Sequence, residues 1–591
     1  MIKLFKKLKK RDWFLIAVAV VLIAVQVVLD LSIPEYMTEI TSLVQTNEDV
    51  VNQIQSIGFK MIASSLGSVI LAVIVGYIAA NISASLGRTT RQALFEKVNE
   101  FTTHDVGQFS IPSLITRTTT DSTQIQLFIA IGLQIAIKSP LLAIASISRI
   151  IDHSWQWTAL IASGILFLLV IILIIVVFAI PKFNKVQKLT DNINRIMRES
   201  LTGINVVRAY NAESYQEKKF EKASSDLAEN NLFGTRVVGL LHPSLNFAMS
   251  VMSIGIYWIG AYLINGLSAS DQLVQFSNMV VYSAYALQII ASFMLMSILL
   301  VLLPRVKVSA NRINEVLDAP ISMENGTINN NVSNYQGIVE FKDVCFTYPD
   351  NAQPALKNIN FTINKGETLA IIGATGSGKT TLVNLIPRLY EVTSGSVYVD
   401  GVDVNDYYEE SLYSKIGYVS QKAMLFSGTV ADNIDFGQTF NDKITEERIT
   451  DALELCQSAN FVLNKPEGIQ SPVAQLGTNF SGGQKQRLSM ARAIARDPEI
   501  LIFDDSFSAL DYQTDQKIRQ QLNQDFKETT KIIIAQRIGT ILDADQIIVL
   551  ENGEMVGHGK HSELLKTCSV YQEIAKSQLS KEELEDETTR N

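Results

Sequence analysis

Six long apolar segments occupy the first half of this 591-residue chain and restrict its fold more than any other feature. Each contains roughly the 20 residues that an α-helix needs to cross the hydrocarbon of a bilayer. The fourth has almost only Ile, Leu, Val, Phe and Ala, without the polar face of a soluble helix. The pattern predicts a basic segment at 1–12 and a six-helix membrane domain at 13–305. The segments are about 13–33, 57–84, 127–151, 157–180, 240–264 and 276–303.

The distribution of Lys and Arg orients these helices, because basic loops remain in the cytoplasm. Basic residues precede the first segment and recur in the long polar stretches 85–126 and 181–239. The shorter stretches 34–56, 152–156 and 265–275 contain no Lys or Arg. We therefore expect a multi-pass protein of the cytoplasmic membrane, with its N-terminus, both long stretches and its second half in the cytoplasm.

The second half has the composition of a soluble domain. Short β-type runs such as TLAIIG, EILIFDD and TKIIIAQ alternate with helical patterns, which predicts an α/β domain over 336–578. A linker is expected at 306–335 and a frayed acidic tail at 579–591. With 50 Lys and Arg against 59 Asp and Glu, the chain lacks the basic footprint of a nucleic-acid-binding protein.

A phosphate-binding motif lies near the start of the α/β domain. Residues Gly373–Thr380 read GATGSGKT, between the apolar run TLAII and the helical pattern TLVNLI. The motif G-x-x-x-x-G-K-[ST] requires this strand–loop–helix context. Its glycines let backbone amides approach phosphate oxygens, Lys379 would neutralise the β- and γ-phosphates, and Thr380 would hold Mg²⁺. Farther on, ILIFDD ends in an acid, and we expect Asp504 beside the metal, as in a Walker B motif.

Between these motifs, FSGGQKQR at Phe480–Arg487 is followed by ARAIARDP and resembles the signature of ATP-binding cassette (ABC) proteins. In the first half, LTGINVVRAYNAE at 201–213 and RINEVLDAP at 312–320 resemble exporter-type ABC transporters. The resemblance covers nearly the whole chain. It implies a multidomain membrane protein in which an all-α, six-helix ABC exporter transmembrane domain is fused to an α/β P-loop nucleotide-binding domain.

The resemblance also implies roles for individual residues. Tyr348 in FTYP corresponds to the aromatic that stacks on adenine, Gln421 in YVSQ to the Q-loop and Asp511 in SALD to the D-loop. Two cassettes would enclose two ATP molecules, each site being completed by the signature of the other cassette. The implied ATP-binding residues are Tyr348, Gly373, Ala374, Thr375, Gly376, Ser377, Gly378, Lys379, Thr380, Thr381 and Gln421; the metal ligands are Thr380, Gln421 and Asp504; and the residues acting in trans are Ser481, Gly482, Gly483 and Gln484.

Two positions depart from the family pattern. The family usually has a catalytic Glu after the Walker B Asp, whereas this chain has Asp505, which is one methylene shorter. At the switch histidine position, IIIAQRIGT carries Gln536, which can hydrogen-bond a phosphate oxygen but cannot carry positive charge. A general base must lie within about 2.6–3.2 Å of the water it activates. We expect this degenerate site to bind ATP and hydrolyse it very slowly, unless a backbone adjustment restores the reach of Asp505.

The intact SGGQ signature indicates a partner subunit. In a homodimer it would complete only slow sites, whereas in a heterodimer it would complete a partner's site that carries Glu and His. We therefore predict one half of a heterodimeric exporter that acts in contact with membrane lipid and moves small amphipathic drugs or lipids outward, as bacterial multidrug pumps do. The alternative is an ATP-gated regulator or channel-like subunit with little transport.

Coupling and substrate contacts have weaker sequence signals. By resemblance, Tyr210–Glu213 and Asp105–Asp121 would be the loop ends that dock on the cassettes. Lys138 lies inside the third apolar segment, where a charge is costly and is a functional candidate. It would either line a substrate cavity or extend to the inner membrane interface.

Overall fold

The computed structural model describes residues 2–44, 51–151, 155–265, 268–329, 336–349, 351–437 and 444–579. The chain divides into two compact units: Met1–Asn99 with Phe109–Ala319, and Glu100–Gln108 with Pro320–Asn591. Residues 330–335 of the predicted linker and 580–591 of the predicted acidic tail lie outside the described residues. The predicted docking segment Asp105–Asp121 is divided between the two units. Residues 105–108 belong to the second unit, and residues 109–121 belong to the first.

The described residues of the first half of the chain are almost all helical, with short turns between the helices. The helices are α1 Ile2–Phe5, α2 Lys10–Val44, α3 Val51–Asn99, α4 Thr103–Phe109, α5 Ile111–Thr116, α6 Ser122–Ile151, α7 Trp155–Thr202, α8 Ile204–Ala209, α9 Glu213–Gly239, α10 Leu241–Ile264 and α11 Ala269–Leu317, with a π-helical turn at Arg117–Asp121.

Six helical segments among the described residues are long and apolar enough to cross a membrane, which agrees with the six predicted spans. Five of them extend beyond the predicted apolar segments. The helix α3 has 49 residues and a length of about 74 Å at 1.5 Å per residue, against a hydrocarbon core of about 30 Å. The segments are Lys10–Val44, Val51–Asn99, Ile111–Ile151, Trp155–Ala179, Glu213–Ile264 and Val274–Leu317.

The transmembrane helices pack through an apolar core and leave other apolar side chains on the outside. Ile23, Trp157, Ile256 and Ile289 are fully buried in this core. Trp258, on α10, is 76 % exposed. Large exposed apolar side chains are expected where helices face lipid rather than water.

A pair of crossed ion pairs joins the π-helical turn to the end of α11. Arg117 donates to the carbonyl oxygen of Arg312 at 2.6 Å and lies 3.0 Å from a Glu315 carboxylate oxygen. In the opposite sense, Arg312 lies 3.3 Å from Asp121, which also accepts from the hydroxyl of Ser309 at 2.8 Å. The helix α11 continues through residues 306–317, the first part of the segment expected to be a linker.

The second unit contains the strands and the remaining helices. The strands are β1 Val339–Phe346, β2 Leu356–Ile363, β3 Thr368–Gly373, β4 Ser394–Val399, β5 Val402–Asp403, β6 Ile416–Val419, β7 Gly428–Thr429, β8 Pro472–Val473, β9 Ile500–Asp504, β10 Thr530–Ile534, β11 Gln546–Glu551 and β12 Glu554–Gly559. The helices are α12 Lys379–Leu385, α13 Glu409–Lys415, α14 Val430–Ile434, α15 Glu446–Leu455, α16 Ala459–Val462, α17 Gly482–Ala495, α18 Tyr512–Asp525, α19 His561–Thr567 and α20 Ser569–Gln578, with 3₁₀ turns at Gly468–Gln470, Gln475–Gly477 and Ile538–Thr540.

A six-stranded sheet in the order β12-β11-β3-β10-β9-β6 forms the centre of this unit. Its strands β11, β3, β10, β9 and β6 run parallel, and β12 pairs antiparallel at the edge. Alternate residues of β3 pack into two different apolar clusters, which explains its continuous hydrophobic run. A second sheet, β2-β1-β4-β5, is antiparallel and shares one of these clusters. The α/β class expected from sequence is confirmed.

Candidate nucleotide-binding site

The order of the parallel strands brings the phosphate loop and the acidic motif to one edge of the sheet. Strand β10 lies between β3 and β9, and Ile534 at its end pairs with both Ile371 and Asp504. Because the strands are parallel, their carboxyl ends meet at the same edge. The loop after β3, the acid that ends β9 and the segment after β10 therefore lie together.

The phosphate loop follows β3 and leads into α12. Gly376 and Gly378 have φ values of 84° and 101°, the left-handed region that L side chains rarely adopt. A Cβ at Gly378 would also lie 2.9 Å from the carbonyl oxygen of Ala355. These two positions require glycine, and they give the loop the curvature that directs successive amides toward a bound phosphate.

Lys379 is folded back over the loop that precedes it. Its ammonium donates to the carbonyl oxygens of Gly373 at 2.9 Å and Ala374 at 2.8 Å. Burial lowers the pKa of Lys379, and the nearby carboxylates of Asp505 and Asp504 only partly oppose this shift. A partly desolvated cation of this kind is well suited to pair with phosphate oxygens.

Thr380 and Asp504 form the expected oxygen-donor pair. The Thr380 hydroxyl donates to a carboxylate oxygen of Asp504 at 2.9 Å. Burial raises the pKa of Asp504, although this hydrogen bond opposes the shift. With the side-chain amide of Gln421, these groups supply the hydroxyl, carboxylate and carbonyl oxygens that Mg²⁺ prefers, so the residues fit this ion.

The two residues that depart from the family pattern are hydrogen-bonded to each other. The Gln536 side-chain nitrogen donates to Asp505 Oδ2 at 2.7 Å, and the Gln421 nitrogen donates to the same oxygen at 3.2 Å. Asp505 is buried and has a left-handed φ of 48°. Its carboxylate therefore holds two amide side chains, a contact that the separate motifs did not predict.

Tyr348 lies beside the start of α12. Its hydroxyl is 2.9 Å from that of Thr381, and its ring makes edge contacts with Phe346 and Tyr390, with centroids 4.8 and 5.3 Å apart. The side chain is half-buried. Two neighbouring aromatic rings thus fix the orientation of the Tyr348 ring.

The signature loop is an exposed, well-capped helix start. Ser481 is the N-cap of the 14-residue helix α17: its hydroxyl accepts from the Gln484 amide, and the Gln484 side chain accepts from the Ser481 amide. Ser481 and Gly482 are exposed. Among the described residues, no hydrogen bond joins this loop to the chain's own phosphate loop. Asp511 likewise caps α18 through the Thr514 amide, which lowers its pKa.

Lys138 has a counter-ion that sequence analysis missed. Its ammonium lies 3.0 Å from the carboxylate of Asp30 on α2. Asp30 lies near the end of the first apolar segment. An acidic residue within an apolar segment was the one sequence feature that could have indicated a partner for Lys138. The cost of an isolated charge in a membrane span indicates that such a partner exists, but spacing along the chain cannot identify it.

Comparisons with known proteins show the family to which this chain belongs. Residues 16–293 match the ABC transporter transmembrane region, and residues 356–508 match the ABC transporter model. An ABC transporter ATP-binding protein of Mycobacterium tuberculosis is 38% identical over 523 residues, or 88% of this chain and 89% of the relative. YfiB of Bacillus subtilis, another ABC transporter ATP-binding protein, is 38% identical over 533 residues, or 89% and 90% of the two chains.

A solved bacterial Atm1-family ABC exporter with ATP bound superposes with a TM-score of 0.82 at 21% identity, covering 97% of this chain and 99% of the other. This likeness establishes the fold of an ABC exporter. The class is thus a six-span membrane region fused to a nucleotide-binding domain. The chain belongs to the ABC transporter family, and its ATP-binding domain makes it an ATP-hydrolysing translocase subunit.

Proposed function

We propose that this chain is one half of a heterodimeric ABC exporter whose own Walker site retains ATP and hydrolyses it slowly. The observation that carries the proposal is the 2.7 Å hydrogen bond from Gln536 to Asp505. Through this bond, the side-chain amide of Gln536 occupies a carboxylate oxygen of Asp505, the residue at the catalytic-base position. The intact signature loop then acts on the site of the partner.

The contact at Asp505 supports slow hydrolysis in two ways. The carboxylate is one methylene shorter than that of Glu, and one of its oxygens already accepts from Gln536 and Gln421. A base held in this way is poorly placed to take a proton from water, and loss of a general base costs typically about 10²–10⁴-fold in rate. Gln536 remains neutral, so it adds no positive charge to the transferred phosphoryl group.

The remaining residues of the site support nucleotide binding. The loop amides and Lys379 would contact the phosphates, and Tyr348 would stack on adenine. Thr380, Asp504 and Gln421 would hold Mg²⁺, which when bound neutralises phosphate charge. Because Lys379 already bonds to loop carbonyls, its ammonium needs only to exchange these acceptors for phosphate oxygens.

The signature loop supports action in trans. Ser481 and Gly482 are exposed at a helix N-terminus, where amides and the helix dipole favour an anion. In a heterodimer this loop faces the partner's ATP, and the partner's glutamate and histidine complete the faster site. Each nucleotide-binding domain thus contributes to both ATP molecules.

We further propose export of amphipathic drugs or lipids across the cytoplasmic membrane. A relative from Staphylococcus aureus is named provisionally as a multidrug export ATP-binding/permease protein. It is 33% identical to this chain over 399 residues, and the aligned region covers 66% of this chain and 68% of the relative. The basic stretches support a cytoplasmic N-terminus and nucleotide-binding domain. Closure of the ATP sandwich would bias the transmembrane helices between inward- and outward-facing states.

The test is co-expression with a candidate partner subunit, followed by purification and ATPase measurement. Replacing the partner's Walker B glutamate by glutamine should abolish most turnover, whereas Asp505→Asn should have a small effect. Vigorous turnover by this chain purified alone would contradict the proposed asymmetry. Hydrolysis without movement of any amphipathic compound would favour the regulator alternative instead.

A further inference from the structure

A cluster of polar side chains lies among the transmembrane helices. Lys138 of α6 and Asp30 of α2 form its ion pair, 3.0 Å apart. The Ser68 hydroxyl of α3 donates to Asp30 Oδ1 at 2.5 Å and accepts weakly from the Gln26 amide at 3.4 Å. Gln288 of α11 donates to the Asp30 carbonyl oxygen at 3.0 Å. We call these five residues the membrane polar cluster.

The position of the cluster makes it costly. Lys138 lies near the middle of the apolar segment 127–151, about 17 Å along the helix axis from residue 127. A charge near the centre of a membrane helix is costly, and such residues are usually functional. Val27 and Leu31 of α2 and Leu142 of α6, which are near the pair along these helices, are buried in the apolar core. Replacing a buried ion pair by apolar residues is often neutral for stability.

Lys138 has hydrogen-bonding capacity that the cluster does not use. An ammonium group has three N–H donors. Within the described part of the chain, Asp30 is its one ionic partner, and the Lys138 side chain remains 22% exposed. The oxygens of Asp30, in contrast, are engaged by Ser68 and Lys138. The unused capacity therefore suits a ligand oxygen.

We propose that Lys138 anchors a carboxylate-bearing amphiphile among the transmembrane helices, with the ammonium positioned by Asp30, whose other carboxylate oxygen accepts from Ser68. A singly charged carboxylate fits better than a phosphate dianion, because the neighbouring Asp30 repels each added negative charge. The apolar part of the ligand would lie along the surrounding Ile, Leu and Val side chains. The site deepens the proposed export function, since it names a substrate class for it.

Binding is tested on the full chain in phosphatidylcholine nanodiscs, with empty nanodiscs as background. The probes are a pyrene-labelled fatty acid, its primary alcohol and its alkylammonium analogue, followed by fluorescence. The fatty acid should bind at least tenfold more tightly than the alcohol. Lys138→Met should remove this preference, and Lys138→Arg should retain it. Arg149→Met is the matched control, because Arg149 pairs with Glu35 at 2.6 Å on the same two helices but is 57% exposed.

The sign of the Asp30→Asn effect separates a binding site from a structural pair. Removing the competing negative charge should strengthen fatty-acid binding, while Lys138→Met weakens it. The proposal would be overturned if Asp30→Asn and Lys138→Met weakened fatty-acid binding equally. It would also be overturned if the wild type preferred the alkylammonium probe and Lys138→Met increased that preference. The double variant Asp30→Asn/Lys138→Met has neither charge, and its thermal unfolding midpoint should match that of the wild type. A complex that binds the fatty acid without moving it would contradict export while supporting the anion site.

Discussion

Replacing both Asp505 and Gln536 is expected to restore ATP hydrolysis at the Walker site of this chain. The change is Asp505→Glu with Gln536→His, made in a heterodimer whose partner has glutamine at its own Walker B glutamate. Each single change should restore much less. The reason is the hydrogen bond of 2.7 Å between the Gln536 nitrogen and Asp505 Oδ2.

The size of the effect follows from this geometry. Asp505→Glu extends the carboxylate by about 1.5 Å, one C–C bond. The Gln536 amide already lies at hydrogen-bonding distance, so the longer side chain must displace it or remain bound to it. With histidine at 536, the carboxylate can turn to a water molecule. The double variant should gain about 10²–10⁴-fold, equivalent to about 2.7–5.4 kcal/mol of activation free energy.

The assay is single-turnover hydrolysis of radiolabelled ATP, which separates chemistry from nucleotide exchange. Trapped ATP should turn to ADP in the double variant and remain ATP in the parent complex. Gln536→Ala is the matched control, since it releases Asp505 without supplying a switch histidine. Full recovery with Asp505→Glu alone, or no gain in the double variant, would refute the reasoning.

Three other changes probe the nucleotide-binding domain. Lys379→Ala should weaken ATP binding by about 10- to 100-fold, the effect of losing a charged hydrogen bond of about 1.5–3 kcal/mol, as measured by nucleotide titration. Ser481→Ala should slow hydrolysis at the partner's site and destabilise α17 by about 1 kcal/mol through loss of its N-cap, as seen by ATPase assay and thermal unfolding. Lys415→Met removes the cation that lies 2.8 Å from both Asp400 and Glu499, and should lower the free energy of unfolding by about 3–5 kcal/mol.

Two of these changes have a control variant on the same domain. Lys365→Met breaks an exposed pair with Glu528 and should leave the unfolding midpoint almost unchanged. Ser481→Thr retains a capping hydroxyl and should keep α17 stable, so any loss of hydrolysis then reports the ATP contact. A normal ATP affinity in Lys379→Ala would show that the lysine serves only the carbonyls of its own loop.

Much of the fold was predictable because its signals are local. Apolar length alone predicts the six spans, and short β-branched runs predict β3, β9 and β10. The short strands β5, β7 and β8 were missed, because two residues give no periodicity; β5 pairs with the neighbouring strand β4, and β7 and β8 pair with each other over a long sequence distance. The extension of α11 into the predicted linker was also missed, and ion pairs of Arg117 and Asp121 with α11 accompany it.

The nucleotide-binding residues also include features that a local motif predicts and contacts that no local motif predicts. The phosphate loop has a fixed motif, since its glycines must adopt conformations that other residues avoid. The hydrogen bonds of Gln536 and Gln421 to Asp505 have no such motif. They depend on the order of β3, β10, β9 and β6 in the sheet, which pairing over long sequence distances determines.

Sequence by itself therefore determined the membrane spans, the phosphate loop and the two unusual residues, because composition and short-range spacing encode them. Tertiary structure decided which of these residues meet. It placed Gln536 on Asp505 through the strand order, and Asp30 beside Lys138 through the packing of α2 against α6. The physical reason is that helix rotation and strand order set contacts between distant residues, and no local pattern records either.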